Sequence, residues 1–208
     1  MSGSLSRRIC PPRREIEIAA PDIAAASAPT DSVVLLDERH RPVGTAPRAS
    51  VHDHQTPLHL AFSCYLFDGA GHLLVTRRAL SKRTWPGVWT NSFCGHPRPG
   101  EDMEDAMRRH ARGELDLDVT DIRPLLPDFR YRAVDASGVI ENEVCPVFAA
   151  RTSGVPRPNP AEVVDLAWTT TQELQAAVTA APWALSPWLV EQWGQLDPTA
   201  VERAARPR

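Results

Sequence analysis

Apolar and polar positions alternate with a period near two over several short stretches of this chain. That period places successive side chains on opposite faces of a strand. It predicts strands at 32–36, 60–67, 72–78, 88–93, 129–134, 140–150 and 163–168. Asp68-Gly69-Ala70-Gly71 reads as a hairpin turn between the second and third of these. Three stretches follow helical spacing instead, at 102–115, 171–179 and 187–196, and Asp102 suits an N-cap. Residues 153–160 hold three prolines and a glycine and read as a loop. Strands dominate, and no regular βαβ repeat is visible. The pattern therefore predicts an α+β sandwich rather than a doubly wound sheet.

The ends differ from the middle. Residues 1–30 are rich in Ala, Pro, Ser and Arg, contain no aromatic residue and read as a disordered tail. They lack the continuous apolar stretch of a secretory signal. Arg7, Arg8, Arg13 and Arg14 suit an organelle transit peptide, but Glu15, Glu17 and Asp22 speak against one. Residues 197–208 read as a frayed helix or second tail, which leaves one domain at 31–196. A chain of 208 residues, 42% hydrophobic, can support one sizeable core. The longest apolar stretch, 58–67, includes His59, Ser63 and Tyr65 and falls short of the roughly 20 residues of a membrane span. A net charge of −3 provides no basic field for nucleic acid or an acidic membrane. Cys10, Cys64, Cys94 and Cys145 are far apart, with no CxxC pair, as expected of free thiols in a reducing cytoplasm. Mixed charge without an obvious apolar patch fits a monomer.

The chemistry concentrates at His52 and His59, at Cys94-Gly95-His96, and at Glu141-Asn142-Glu143. Imidazole nitrogens with carboxylate oxygens suit a borderline divalent metal such as zinc or manganese. Glu141 and Glu143 are i and i+2 in a strand-like run, so both leave one face. If these segments meet, a metal, a proton donor and the Cys94 thiol share one site, and an enzyme is the leading reading.

Gly95, five residues, Glu101, seven residues, Arg109 and then Glu114 follow the outline of the Nudix box. That box uses a loop and helix to gather carboxylates that hold magnesium against a diphosphate. Here His110 and Gly113 stand where it has Glu, and Asp116 stands where it has Gly. Hydrolysis needs that carboxylate cluster to activate water. The outline thus predicts a Nudix-like α/β/α sandwich with a mixed sheet and few helices.

Four blocks carry a closer likeness: Leu58-His59-Leu60-Ala61-Phe62, the run from Thr84 to Pro97, Glu141-Asn142-Glu143-Val144-Cys145, and Pro182-Trp183-Ala184-Leu185-Ser186-Pro187-Trp188. Together they resemble type I isopentenyl-diphosphate isomerase from about residue 33 to about 193. The resemblance implies interconversion of isopentenyl and dimethylallyl diphosphate, by adding a proton to one alkene carbon and removing another nearer the oxygen. It implies a Mn2+ or Zn2+ site made by His52, His59, His96, Glu141 and Glu143. It implies Mg2+, held by Glu114 and the Cys94 carbonyl, with the substrate diphosphate. Catalytic roles fall to Cys94, Glu143, Tyr131 and Trp183, the last facing a cationic intermediate. Arg48, Arg78, Lys82 and His110 fall at diphosphate-binding positions. His110 departs from the family, which has arginine there; either His110 does that job less firmly, or Arg112 or Arg109 compensates.

Each feature has a plainer reading. Two glutamates on a strand are commonly a solvated face, and an isolated histidine is commonly a surface or hydrogen-bonded residue, as for His40, His54, His72 and His110. His54 is the nearest rival to His52. Cys64 and Cys145 read as small buried hydrophobes, although Cys145 shares the parity of the glutamates. Two other functions compete. A Nudix hydrolase would release phosphate and tolerate Cys94→Ala. A binding module with a structural metal would show a closed four-ligand site without a pocket.

Overall fold

The computed structural model describes residues 31–206. The tail expected over 1–30, with Cys10, lies outside the described residues. In chain order the elements are β1 (Ser32–Leu36), β2 (Pro42–Pro47), α1 (Arg48–Val51), β3 (His59–Leu60), β4 (Phe62–Phe67), β5 (Leu73–Arg78), β6 (Trp89–Thr90) and β7 (Phe93–Gly95). Then come α2 (Met103–Leu115), β8 (Thr120–Leu126), β9 (Arg130–Val134), β10 (Ile140–Val144), β11 (Val147–Arg151) and β12 (Val163–Thr169). The chain ends in α3 (Thr171–Ala180), a 3-10 turn (Pro182–Ala184), α4 (Pro187–Gln195) and α5 (Pro198–Ala205).

The strands form two mixed sheets. One runs β2-β1-β3-β10-β9; the other runs β12-β5-β4-β11-β8, with β6 on β5 and β7 on β4. The two parallel pairings are β3 with β10 and β4 with β11. Since β3 leads directly into β4, and β10 into β11, the same two chain segments run through both sheets side by side. The sequence predicts one strand over 140–150, and the structure divides it at Cys145-Pro146. Proline has no N–H for the ladder. There the bonds Ala61 N–H to Val144 O, 2.9 Å, and Ser63 N–H to Pro146 O, 3.1 Å, bridge the seam between the sheets.

Strand β4 explains the layering. Its Phe62, Cys64 and Leu66 pack with Ala106, Met107, Ala111 and Leu115 of α2. Its Tyr65 and Phe67 pack with Leu174, Trp188, Leu189 and Trp193 of α3 and α4. A strand buried on both faces reads as a continuous apolar run, and this sheet has helices on either side. Helix α2 begins where the Asp102 carboxylate accepts the Glu104 N–H and ends where Asp116 adopts a left-handed conformation.

Of the two readings of residues 197–208, a frayed helix or a second tail, residues 198–205 take the helical one. Asp197 caps a helix with Pro198 at its first turn, and Val201 and Ala204 enter the core. Burying a valine is worth roughly 1.5–3 kcal/mol, enough to hold a two-turn helix against the sheet. Strands β2 and β8 were not legible as strands; most of their positions are exposed or half-buried, and β8 contains Pro124.

Candidate active site

The seam between the sheets gathers the metal-type residues. Glu143 on β10 is in register with His59 on β3 and with Tyr131 on β9, so the three side chains stand in a row. Glu141 stands two residues earlier on the same face of β10. His96 follows β7, and His52 follows the short helix α1. Ligand atoms of His52, His59, His96 and Glu143 all lie within 4.8 Å of one another. Glu143 Oε1 is 2.9 Å from His96 Nε2, 3.3 Å from His59 Nε2 and 3.8 Å from His52 Nε2. The two imidazole nitrogens of His59 and His96 are 3.2 Å apart. Glu141 Oε2 is 2.9 Å from His52 Nε2.

These spacings fit one ion. Nitrogen and oxygen donors at roughly 2.0–2.2 Å from a common cation lie about 3–3.5 Å from each other. Two details support the same fit. His59 Nδ1 lies 2.9 Å from the Pro57 carbonyl, which can only accept, so the ring carries its proton there and Nε2 presents a lone pair. His52 Nε2 is buried and makes no aligned hydrogen bond, despite its nearness to Glu141. Nitrogen and oxygen crowded without alignment is how donors to a shared cation stand.

The electrostatics of this cluster are severe because it is buried. Burial would raise the Glu143 carboxyl, but contacts with His52, His59 and His96 hold it well below the usual range. Burial pushes His96 down to about 4, with Glu143 opposing. Burial also opposes charge on His52, but the Glu141 and Glu143 carboxylates overcome it and raise the ring to about 9. The outer oxygens are engaged too: Tyr131 donates its phenol to Glu143 Oε2 at 3.0 Å, and Thr84 donates its hydroxyl to Glu141 Oε1 at 2.6 Å.

Cys94 on β7 lines the same cavity, of about 580 Å³, as His52, His96, Tyr131, Glu141 and Glu143. Its sulfur is 3.3 Å from Ser63 Oγ and 3.2 Å from Asn91 Nδ2. Behind Ser63, Gln192 donates to its hydroxyl at 2.9 Å and accepts from the Tyr65 phenol at 3.1 Å. Burial pushes the Cys94 thiol up to about 12, with Ser63 and Asn91 pulling the other way. Cys145 also touches Ser63 Oγ, at 3.4 Å, but is buried and does not line the cavity. The three described cysteines are free.

A cationic rim completes the cavity. Arg48, Arg78, Lys82, Arg98 and Arg109 all line it. Arg48, Arg78, Lys82 and Arg109 are each held by a carboxylate or a carbonyl. Arg48 pairs with Asp31 at 2.8 Å, and Lys82 pairs with Glu162. Arg109 forks onto both oxygens of Glu101 at 2.7 and 2.6 Å, and reaches the His96 carbonyl at 3.0 Å. The part of the Nudix-box outline present here, Glu101 with Arg109, thus serves to brace His96. His110 Nδ1 is 2.8 Å from Glu114 Oε1, and both line the cavity. The imidazole lies against Gly95: a Cβ there would come within 2.4 Å of His110 Nε2. Any side chain at that strand position would force the His110 ring to move.

Most of the residues singled out in the sequence therefore meet. Trp183 does not: it is 83% exposed on the 3-10 turn and does not line the cavity. The indole that does is Trp188, 2% exposed, with its N–H on Asn91 Oδ1 at 3.1 Å. Each tryptophan follows a proline, so local sequence could not choose between them. Trp188 turns inward as the second residue of α4. His54 bonds to the Gly138 carbonyl at 2.8 Å, outside the cluster. Sequence reading also missed Ser63, Thr84, Asn91 and Gln192, whose buried polar side chains carry no spacing signal.

A family model described as NUDIX domain matches residues 57–189. The isopentenyl-diphosphate Delta-isomerase of Agromyces mediolanus is 62% identical over 174 residues, covering 84% of this chain and 84% of the relative. The isopentenyl-diphosphate Delta-isomerase of Frankia alni is 61% identical over 177 residues, covering 85% of this chain and 89% of the relative. Among solved structures, DR0079 from Deinococcus radiodurans superposes with a TM-score of 0.60 at 25% identity, over 85% of this chain and all of that one. A MutT Nudix hydrolase from Burkholderia pseudomallei superposes with a TM-score of 0.51 at 23% identity, over 66% of this chain and 97% of that one, a likeness of fold.

Proposed function

This chain belongs to the isopentenyl-diphosphate Delta-isomerase family and carries its Nudix domain, and from that premise we propose how its residues divide the work. The enzyme interconverts isopentenyl diphosphate and dimethylallyl diphosphate. An unactivated alkene is a very weak base, so its protonation is the demanding step. The reaction needs a strong acid in a dry site, a second group to take a proton from the carbon nearer the oxygen, and a neighbour for transient positive charge.

Glu143 is the acid. One observation carries this assignment: its two oxygens have separate surroundings. Oε1 is at the focus of three imidazole nitrogens, and Oε2 rests on the Tyr131 phenol. His52, His59, His96, Glu141 and Glu143 hold a divalent cation, Zn2+ or Mn2+, as suits a nitrogen and carboxylate set. A cation bound at one oxygen draws electron density from the carboxyl and makes its protonated form a stronger acid than a free glutamic acid of pKa about 4.3. Tyr131 passes or steadies the proton on Oε2. Cys94 exchanges the second proton, with Ser63 and Asn91 fixing the sulfur. Trp188 offers the aromatic face beside the cavity that Trp183 was expected to provide.

The rim takes the diphosphate. Arg48, Arg78 and Lys82 supply charge, and guanidinium groups match paired phosphate oxygens. Glu114, with the Cys94 carbonyl, supplies oxygens suited to Mg2+ accompanying the substrate. His110, tied to Glu114, stands where the family has arginine; Arg109, forked onto Glu101 and the His96 carbonyl, braces the site, and the clamp is assigned to Arg48, Arg78 and Lys82, which line the cavity. No helix among the described residues is long and apolar enough to cross a membrane. A monomer acting in the cytoplasm fits this substrate.

The test is isotopic. Isopentenyl diphosphate converted in deuterated water, with metal supplied, is expected to yield labelled dimethylallyl diphosphate and no free phosphate. Unlabelled product, or release of phosphate, overturns the assignment of proton donor and acceptor.

A further inference from the structure

The buried hydroxyl of Thr84 is not itself among the groups assigned above to metal or substrate, yet its bonds leave it no freedom. Thr84 sits in the loop between β5 and β6 and is 5% exposed. Its Oγ accepts a hydrogen bond from Arg78 Nη2 at 3.1 Å. Arg78 has no acceptor atom. The single hydroxyl proton of Thr84 is therefore directed to its other neighbour, Glu141 Oε1, at 2.6 Å, a short bond of the charge-assisted kind. That bond occupies Oε1 and leaves Glu141 Oε2 as the oxygen beside His52 Nε2.

The loop is held hard in this position. Arg78 Nη2 donates to the Thr84 carbonyl at 2.8 Å, and Arg78 Nε donates to the Thr84 and Trp85 carbonyls, both at 3.2 Å. Trp85 adopts φ 42°, a left-handed conformation unusual for a bulky residue and disfavoured before Pro86. Such backbone persists only where its surroundings over-determine it, and it gathers at functional sites. Here the left-handed residue directly follows Thr84, whose side chain meets Glu141 while its carbonyl stays on Arg78.

We infer that Thr84 is a positioning residue: its hydroxyl, oriented by Arg78, fixes Glu141 as a donor to the metal centre. The inference rests on the reading that the histidine and glutamate cluster holds a cation. Outer hydrogen bonds of this kind commonly carry 10- to 100-fold in metal affinity.

Cobalt(II) binding tests it in the purified full-length chain, because cobalt absorbance reports coordination without turnover. Affinity is measured by competition with a chromophoric chelator for wild type, Thr84→Ser, Thr84→Val and Glu141→Gln. Thr84→Val is expected to bind cobalt about 10- to 100-fold more weakly, with a changed visible spectrum, and Thr84→Ser within about threefold of wild type. Thr84→Val added to Glu141→Gln is expected to cost little more, since both remove one contact. Thr84→Ala carries the same expectation should the valine variant not fold. Wild-type affinity and spectrum in Thr84→Val would overturn the inference, as would full additivity with Glu141→Gln. Failure of the wild type itself to bind cobalt would instead remove the metal reading beneath it, and the inference with it.

Discussion

His59 and Glu143 are direct register partners across a parallel strand pair, with Nε2 and Oε1 3.3 Å apart, although they are far apart in the chain. Hairpins cannot join parallel neighbours, so this pairing needs a long crossover. The crossover carries β4 to β9 with α2, and within it lie Cys94, His96 and Tyr131. The same topology that makes the pair therefore delivers the other groups to the seam.

Removing the metal is expected to lower stability as well as activity. The apo cluster keeps two carboxylates and three imidazoles buried without the cation that compensates them. A ligand present at 100 times its Kd stabilises by about 2.7 kcal/mol, which corresponds to roughly 5–10 °C in a chain of this size. Thermal melts with and without EDTA check this, and an unchanged Tm with full metal release would refute it.

Cys94→Ala is expected to lower kcat by about 10²- to 10⁴-fold, the usual worth of a positioned acid or base. Affinity for the diphosphate should stay within about threefold, because the rim is intact. Stopped-assay kcat and calorimetric binding of a non-reactive diphosphate separate the two. Retained turnover would remove Cys94 from the proton path.

The two tryptophans give opposite expectations. Trp188→Leu removes the aromatic face at the cavity, and a cation–π contact of about 2 kcal/mol corresponds to roughly thirtyfold in kcat. Trp183→Leu, at an exposed position, is expected to leave kcat within about threefold. Circular dichroism guards against unfolding of the buried variant. The reverse order of effects would return the catalytic role to Trp183.

Acid stability should depend on Glu101. The Arg109 fork and the Arg98 N–H hold its carboxyl down to about 2, from an ordinary 4.5. A depressed folded pKa means that the contribution is complete above about pH 4.5, where the group is ionised in both states. It is lost as pH falls toward 2, because the unfolded chain takes up the proton first. Denaturant melts between pH 5 and 2 should show a steeper fall for wild type than for Glu101→Gln. Parallel curves would mean that the pair carries no net stability.

Much of the fold was legible because local rules governed it. Strand β4, α2 with its Asp102 cap, and the turn at 68–71 follow from periodicity and turn chemistry alone. The division at Pro146 was hidden because apolar residues continue on both sides of it. Helix α5 was legible only as a frayed helix or a tail because two buried side chains, Val201 and Ala204, make a short and weak pattern. The ligand residues were legible for a different reason: histidines and acids within apolar strands have no structural purpose that periodicity supplies.

The sequence by itself determined which atoms could bind a cation and that Glu141 and Glu143 share a face. Tertiary structure alone decided which tryptophan meets the cavity, which oxygen of Glu143 faces the imidazoles, and which hydroxyls fix Glu141 and Cys94. The physical reason is range. Side-chain direction within a strand follows from the bonds of that strand, whereas the partner of a buried polar atom depends on where distant segments close.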